Sequence, residues 1–225
     1  MKFDRYAIYY TPQGGLAEAG AAWLGWDVAR GQTVAHPNVA GLDVAALTET
    51  PRKYGLHATI KPPFFLAEGV MADDLQAAFK ALCTQLAPVT LDRLTLTPLG
   101  RFLALTPEGD TTALNAMAAE VVRGLDTFRA PPAEADLARR RQASLTRAQE
   151  ANLIQWGYPY VMDAFRFHIT LTSKLPKGDL PQVTAALTPY ITPHLPQPFM
   201  LDSLTLVGQA KDGMFHEVHR ATLSG

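Results

Sequence analysis

Cysteine is nearly absent: Cys83 is the one thiol in 225 residues. A lone cysteine closes no internal disulfide, which points to a reducing compartment. An excess of either charge is also missing. Lys and Arg total 20 against 21 Asp and Glu, a formal net charge of −1. That balance argues against a long nucleic-acid-coating surface, which needs many phosphate-neutralising cations; a local basic cleft stays open. No stretch reaches the ~18 uninterrupted apolar residues of a membrane span. Met1-Lys2-Phe3-Asp4-Arg5 lacks the apolar run of a signal peptide. The expectation is a soluble cytoplasmic protein. Several catalytic signatures are missing too. There is no Gly-rich phosphate loop of the P-loop or dinucleotide type, and no Gly-x-Ser-x-Gly elbow. His216-Glu217-Val218-His219 is not the zinc-helix pair His-Glu-x-x-His, and on a strand positions i and i+3 face opposite sides. Neither a metal nor a cofactor is expected.

What is present is enough apolar sequence for a core, 48% of residues. Aromatic, β-prone Phe3 to Tyr10 reads as a strand, followed by a helix over Leu16 to Arg30 and a Gly/Pro-bearing loop over 31–53. Leu56 to Leu66 reads as a strand that Pro62-Pro63 turns into an edge or bulge. A helix over Ala72 to Leu86, a hairpin turning at Leu99-Gly100-Arg101 and a helix over Thr111 to Phe128 follow. The remainder reads as one polar helix over 133–157 stopped by Gly157, a strand over Phe165 to Ser173 and a helix over Leu180 to Tyr190. A last hairpin turns at Lys211-Asp212-Gly213. Each half thus holds a His-bearing strand, a helix and a hairpin. The pattern predicts an α+β protein, a single domain spanning 1–225 in two antiparallel-sheet lobes with pseudo-twofold symmetry and a central cleft.

The chemistry concentrates in those two strands, 56–61 and 166–172. Leu56-His57-Ala58-Thr59-Ile60 and Phe167-His168-Ile169-Thr170-Leu171 both run apolar, His, apolar, Thr, apolar. Side chains alternate along a strand, so each buries an apolar face and shows an imidazole and a hydroxyl on the other. Strict alternation adds Lys61 to the first row, and Arg166 and Thr172 to the second. Facing each other, the rows hold two imidazoles, hydroxyls and two cations, an inventory that suits a phosphate ester. Opening a cyclic phosphodiester with water needs a base for the water and an acid for the departing alkoxide. Near neutral pH one imidazole can be neutral and its partner protonated. Hydroxyls and cations can hold the non-bridging oxygens.

These phrases resemble the paired His-x-[Thr/Ser]-hydrophobic signatures of the two-histidine (2H) phosphoesterase superfamily, which includes RNA 2′,5′ ligases and cyclic phosphodiesterases. The wider stretches Arg52 to Phe64 and Trp156 to Tyr160, with Phe165-Arg166-Phe167-His168, are similar to a bacterial branch of that superfamily assigned to phosphonate metabolism. The resemblance spans nearly the whole chain. It implies a bilobal α+β fold with its site between the lobes, and catalytic roles for His57, His168, Thr59 and Thr170. Lys61 and Arg166 are candidate phosphate ligands, and Tyr54 a candidate cap on the cleft.

Other residues weigh less. Tyr6, Tyr9 and Tyr10 read as core with a wet hydroxyl end. Arg139, Arg140 and Arg141 fan around a helix, so they cannot all face one ligand, and a solvated face is the simpler reading. His36 and His194 lie in Pro-flanked loops. The expected partner is a small phosphorylated substrate. The competing readings are an enzyme of RNA ends, and a binding module that holds a phosphorylated ligand without turnover. Oligomeric state is not legible.

Overall fold

The computed structural model describes residues 2–225. In chain order the elements are β1 (Arg5–Tyr10), α1 (Gly14–Leu24), β2 (Trp26–Asp27), β3 (Gln32–Thr33), α2 (Val44–Leu47), α3 (Glu49–Arg52), β4 (Ala58–Phe64), α4 (Ala72–Cys83), β5 (Val89–Leu91), β6 (Arg93–Leu99) and β7 (Phe102–Glu108). They continue with α5 (Thr112–Gly124), α6 (Glu134–Arg141), α7 (Arg147–Trp156), β8 (Ile169–Thr170), α8 (Leu180–Ile191), β9 (Phe199–Leu201), β10 (Ser203–Gln209) and β11 (Phe215–Thr222). The protein is α+β. Seven strands make one sheet in the order β11-β10-β1-β4-β8-β7-β6, and every pairing in it is antiparallel. No helix is long and apolar enough to cross a membrane among the described residues.

The sheet has two flanks that meet in the middle. One is β11-β10-β1-β4 and carries His57; the other is β8-β7-β6 and carries His168. They join through the pair Ala58 and Ile169. The chain exchanges its hairpins between flanks. The early hairpin β6-β7 pairs with the late strand β8, and the late hairpin β10-β11 pairs with the first strand. Two flanks built each from consecutive chain, as the repeat suggests, do not occur.

Alternation gives the sheet two different faces. Ile8, Tyr10, Ala58, Ile60, Leu103, Leu105, Ile169 and Leu171 point into the main core, where they meet Trp23 of α1, Phe79 of α4, Val121 of α5 and Leu187 of α8. The Trp23 indole donates to the Leu171 carbonyl at 2.7 Å, tying α1 to the end of β8. Cys83 is buried at the end of α4, and burial pushes its thiol up to about 12.

Three elements differ from the sequence reading. The helix expected over Leu16 to Arg30 ends at Leu24, where Gly25 turns into the left-handed region and Trp26–Asp27 forms a short strand. The strand expected over Phe165 to Ser173 keeps only Ile169 and Thr170 in ladder pairing. The polar helix expected over 133–157 is two helices. Thr146 starts the second, its hydroxyl accepting from the Gln149 amide while the Gln149 side chain accepts from the Thr146 amide. Gly157 ends it at φ 74°, the left-handed conformation that costs glycine no Cβ clash.

Candidate active site

β4 departs from regular pairing, and that departure decides which side chains reach the site. Tyr10 pairs with Ala58 and Tyr9 with Thr59, but Ile8 pairs with Lys61, leaving Ile60 as an extra residue. A second extra residue follows before Tyr6 pairs with Phe64. The intervening Pro62 and Pro63 have no N–H to give a ladder. The first bulge rotates everything beyond Ile60 to the other side.

Lys61 therefore leaves the His57 row, which corrects the expectation that it binds phosphate. Its side chain is 2% exposed and pairs with Asp126 at 3.2 Å. It also donates to the Val122 carbonyl at the end of α5, at 3.0 Å. Burial lowers its pKa to about 8, against the opposing attraction of Asp126. Arg166 is likewise not in the cleft lining. Its guanidinium turns back on the main chain, donating to the Asp163 and Phe165 carbonyls.

The register Ala58 to Ile169 sets His57 across from Thr170 and Thr59 across from His168. In an antiparallel pair, residues directly opposite share a face. The four side chains thus form a square on the face turned away from the main core, with the histidines on one diagonal. Ala104 pairs with Thr170, which sets Phe102 beside Thr172 on the same face.

Both imidazoles are anchored alike. His57 Nδ1 lies 2.9 Å from the Gly55 carbonyl, and His168 Nδ1 lies 2.8 Å from the Arg166 carbonyl. A carbonyl only accepts, so each Nδ1 carries the hydrogen and each Nε2 is left for chemistry. His57 Nε2 is 3.1 Å from Thr59 Oγ1. The ring stacks on buried Tyr9 with centroids 3.9 Å apart, and Tyr54 lies 5.7 Å away on a tilted plane. Burial lowers the His57 pKa to about 4, the Gly55 contact opposes this, and charge on His168 lowers it further. That low pKa keeps His57 neutral at pH 7, with Nε2 an acceptor beside the Thr59 hydroxyl.

A cleft of about 350 Å³ opens over this face. Its wall includes Tyr9, Tyr54, His57, Thr59, Thr170, Thr172, Pro62 and Pro63. His168 is not part of that wall; it stands at the rim, its ring 6.0 Å from that of Phe102, which is. Sequence reasoning missed Thr50, Ser173 and three cations that line the cleft, Arg5, Arg140 and Lys174. Two of the cations left a signal. Arg5 has the parity of Tyr9, and Lys174 extends the row His168, Thr170, Thr172 by one step. Arg140 left none, because nothing in a run of three arginines says which one turns inward. Asp and Glu are absent from the lining.

Among curated proteins, the chain is similar to two called ribose 1,5-bisphosphate phosphokinase PhnN. That of Janthinobacterium sp. (strain Marseille) is 36% identical over 231 residues, covering 98% of this chain and 51% of the relative. That of Laribacter hongkongensis (strain HLHK9) is 34% identical over 199 residues, covering 86% and 46%. The chain spans about half the length of these relatives. Among solved structures, E. coli LigT in apo form matches at 14% identity and a TM-score of 0.46, covering 100% of both chains. The LigT complex with 3′-AMP matches at 15% and 0.45, and a crystal structure of a phosphoesterase at 13% and 0.43, each over 100% of both chains. A family model described as "Protein of unknown function (DUF1045)" matches residues 59–216, and the chain belongs to that family.

Proposed function

We propose that this chain hydrolyses a cyclic phosphodiester of a small sugar or nucleotide phosphate, using His57 and His168 without a metal, as a member of the 2H phosphoesterases. The observation that carries the reading is the matched anchoring of the two imidazoles, Nδ1 on a main-chain carbonyl and Nε2 left for chemistry. It occurs beside a cleft without carboxylates. In the forward step His57 Nε2 removes a proton from water and the water oxygen attacks phosphorus. One ring P–O bond breaks, and protonated His168 gives its Nε2 proton to the departing sugar oxygen. The product is a phosphomonoester beside a free hydroxyl. The cycle leaves His57 protonated and His168 neutral, and exchange with solvent restores both. Thr59 and Thr170 donate to the non-bridging oxygens, where charge grows in the transition state. Burial favours His57 as the base, because it keeps that ring neutral.

The relatives' name supports a sugar substrate. A ribose bisphosphate kinase acts on a phosphorylated ribose, and opening a ribose cyclic phosphate yields one. This chain has no P-loop sequence, so we assign the kinase step to the rest of those longer relatives. A second reading, RNA ends with 2′,3′-cyclic phosphates or 2′,5′ ligation, draws on the aromatic wall of Tyr54, Phe102 and Tyr158, which offers surfaces to stack a base.

The test is a panel of ribose cyclic phosphates, 2′,3′-cyclic nucleotides and 2′,5′ dinucleotides, run with EDTA. His57→Ala and His168→Ala are each expected to lose activity by ~10³-fold, within the range of general acid–base contributions. Loss of wild-type activity in EDTA would remove the metal-free mechanism, and full activity in either variant would remove the pair. Turnover of none of them moves the protein to the binding-module reading.

A further inference from the structure

The cleft holds more positive charge than one phosphodiester needs. Three consecutive arginines end α6, and they behave differently. Arg139 pairs with Asp136 at 2.5 Å and Arg141 with Glu150 at 2.7 Å. Arg140 has no carboxylate partner among the described residues. It turns into the cleft, its guanidinium carbon 4.5 Å from the Tyr158 ring centroid. Stacking on an aromatic face fixes the plane of a guanidinium and leaves its edge N–H groups free for a planar or tetrahedral anion. Arg5 reaches the same cleft with its Nε bonded to the neutral Gln209 side chain at 2.7 Å, and Lys174 joins it from the end of the His168 row. Neither has an acidic partner among the described residues. A protein with a net charge of −1 has thus gathered three uncompensated cations in a pocket whose lining contains no acid. Such cations repel one another unless an anion joins them.

We infer that this pocket has a second anion subsite, centred on Arg140 with Arg5 and Lys174, and that the substrate carries a terminal phosphate in addition to its cyclic phosphodiester. This rests on the hydrolytic reading of the same cleft for the cyclic group alone. The Thr59, Thr170 and histidine square takes the reacting phosphate. The Arg140 subsite takes a phosphomonoester, dianionic at neutral pH, for which bidentate guanidinium contacts are well suited. The substrate class is therefore a phosphorylated sugar cyclic phosphate rather than a plain cyclic nucleotide.

The experiment compares a ribose cyclic phosphate with and without a 5-phosphate, using wild type, Arg140→Met and Arg139→Met. Wild type is expected to favour the 5-phosphorylated compound by roughly 100-fold in kcat/KM. Arg140→Met should cut kcat/KM for that compound by roughly 10- to 100-fold, the range of a charged hydrogen bond. It should leave the other compound within about 3-fold, and Arg139→Met should change neither. Equal turnover of both compounds by wild type overturns the subsite, and so does an equal loss on both in Arg140→Met. If neither compound is hydrolysed, the hydrolytic reading fails separately. The subsite is then decided by calorimetric titration with ribose 5-phosphate: tenfold weaker binding in Arg140→Met than in wild type upholds it, and equal binding or none overturns it.

Discussion

At the scale of single residues, the two histidines share an anchor but not an environment. His57 is packed between Tyr9 and Tyr54, while His168 stands at the rim. Burial lowers the His57 pKa to about 4, so the sign of its pH effect is fixed. Its base form is complete above that value and is lost as pH falls through it. The acid limb of kcat/KM, which reports the free enzyme, should lie near pH 4 rather than near the ordinary imidazole value of about 6.5. Tyr9→Ala removes the stacked ring and admits water, so it should move that limb upward by about one unit or more. Tyr9→Phe keeps the stack and should leave it in place. An acid limb near 6.5 in wild type, unchanged in Tyr9→Ala, would contradict burial as the cause. The same burial makes folding pH-dependent. The unfolded imidazole binds a proton that the folded one refuses, so this residue costs stability as pH falls from about 6.5 toward 4.

At the scale of the element, β4 serves two faces because of its bulge. Before Ile60 the strand feeds His57 and Thr59 to the cleft; after it, Lys61 goes under the helices to Asp126. Asp126 also holds Arg129, at 2.8 Å, so it is the centre of a mostly buried charge cluster. Removing one member of such a pair costs more than replacing both. Asp126→Ala should therefore destabilise by about 3–5 kcal/mol in chemical denaturation, because it strands a buried ammonium. Lys61→Met keeps the stem's volume and leaves Asp126 with Arg129, so its cost should be smaller, about 1–2 kcal/mol. It should also leave kcat/KM within about 3-fold. A large loss of activity in Lys61→Met at full stability would return this lysine to the site. Alternation placed the two histidines and both threonines on one face, because period two holds where the strands are regular; Tyr54 precedes β4 and lay outside that rule. The stop at Gly157 and the turn at Gly213 were legible for the same kind of local reason. Lys61 was misplaced because alternation has no term for an inserted residue, although Pro62-Pro63 marked the place. The break before α7 was legible in Thr146-x-x-Gln149, a capping box inside a polar run. Arg140 was not legible, since its inward turn depends on Tyr158, brought to it by the fold.

At the scale of the whole molecule, the two flanks of the sheet are interleaved in sequence. A cut between Ala143 and Ser144, in the exposed turn between α6 and α7, separates a fragment with β1, β4, β6 and β7 from one with β8, β10 and β11. In the sheet order β11-β10-β1-β4-β8-β7-β6 the first fragment then has a gap where β8 belongs. The second has a two-stranded hairpin and a detached strand of two residues. An isolated hairpin is marginally stable in water at best. The first fragment also loses α8, with Val183, Leu187 and Ile191, from the main core, a cavity far larger than a single truncation makes. Neither fragment should fold alone: each should lack near-ultraviolet circular dichroism and a cooperative thermal transition. Mixed, they should recover both, together with catalytic activity, since the cut removes no residue of the cleft and the pairs β1–β10, β4–β8, β7–β8 and β5–β9 all form across it. The uncut chain should unfold in one transition reported alike by the fluorescence of its three tryptophans and by backbone circular dichroism. Two separated transitions, or a cooperative fold in either fragment alone, would mean that the flanks are independent units and that the histidines meet across a docking surface instead of within one sheet.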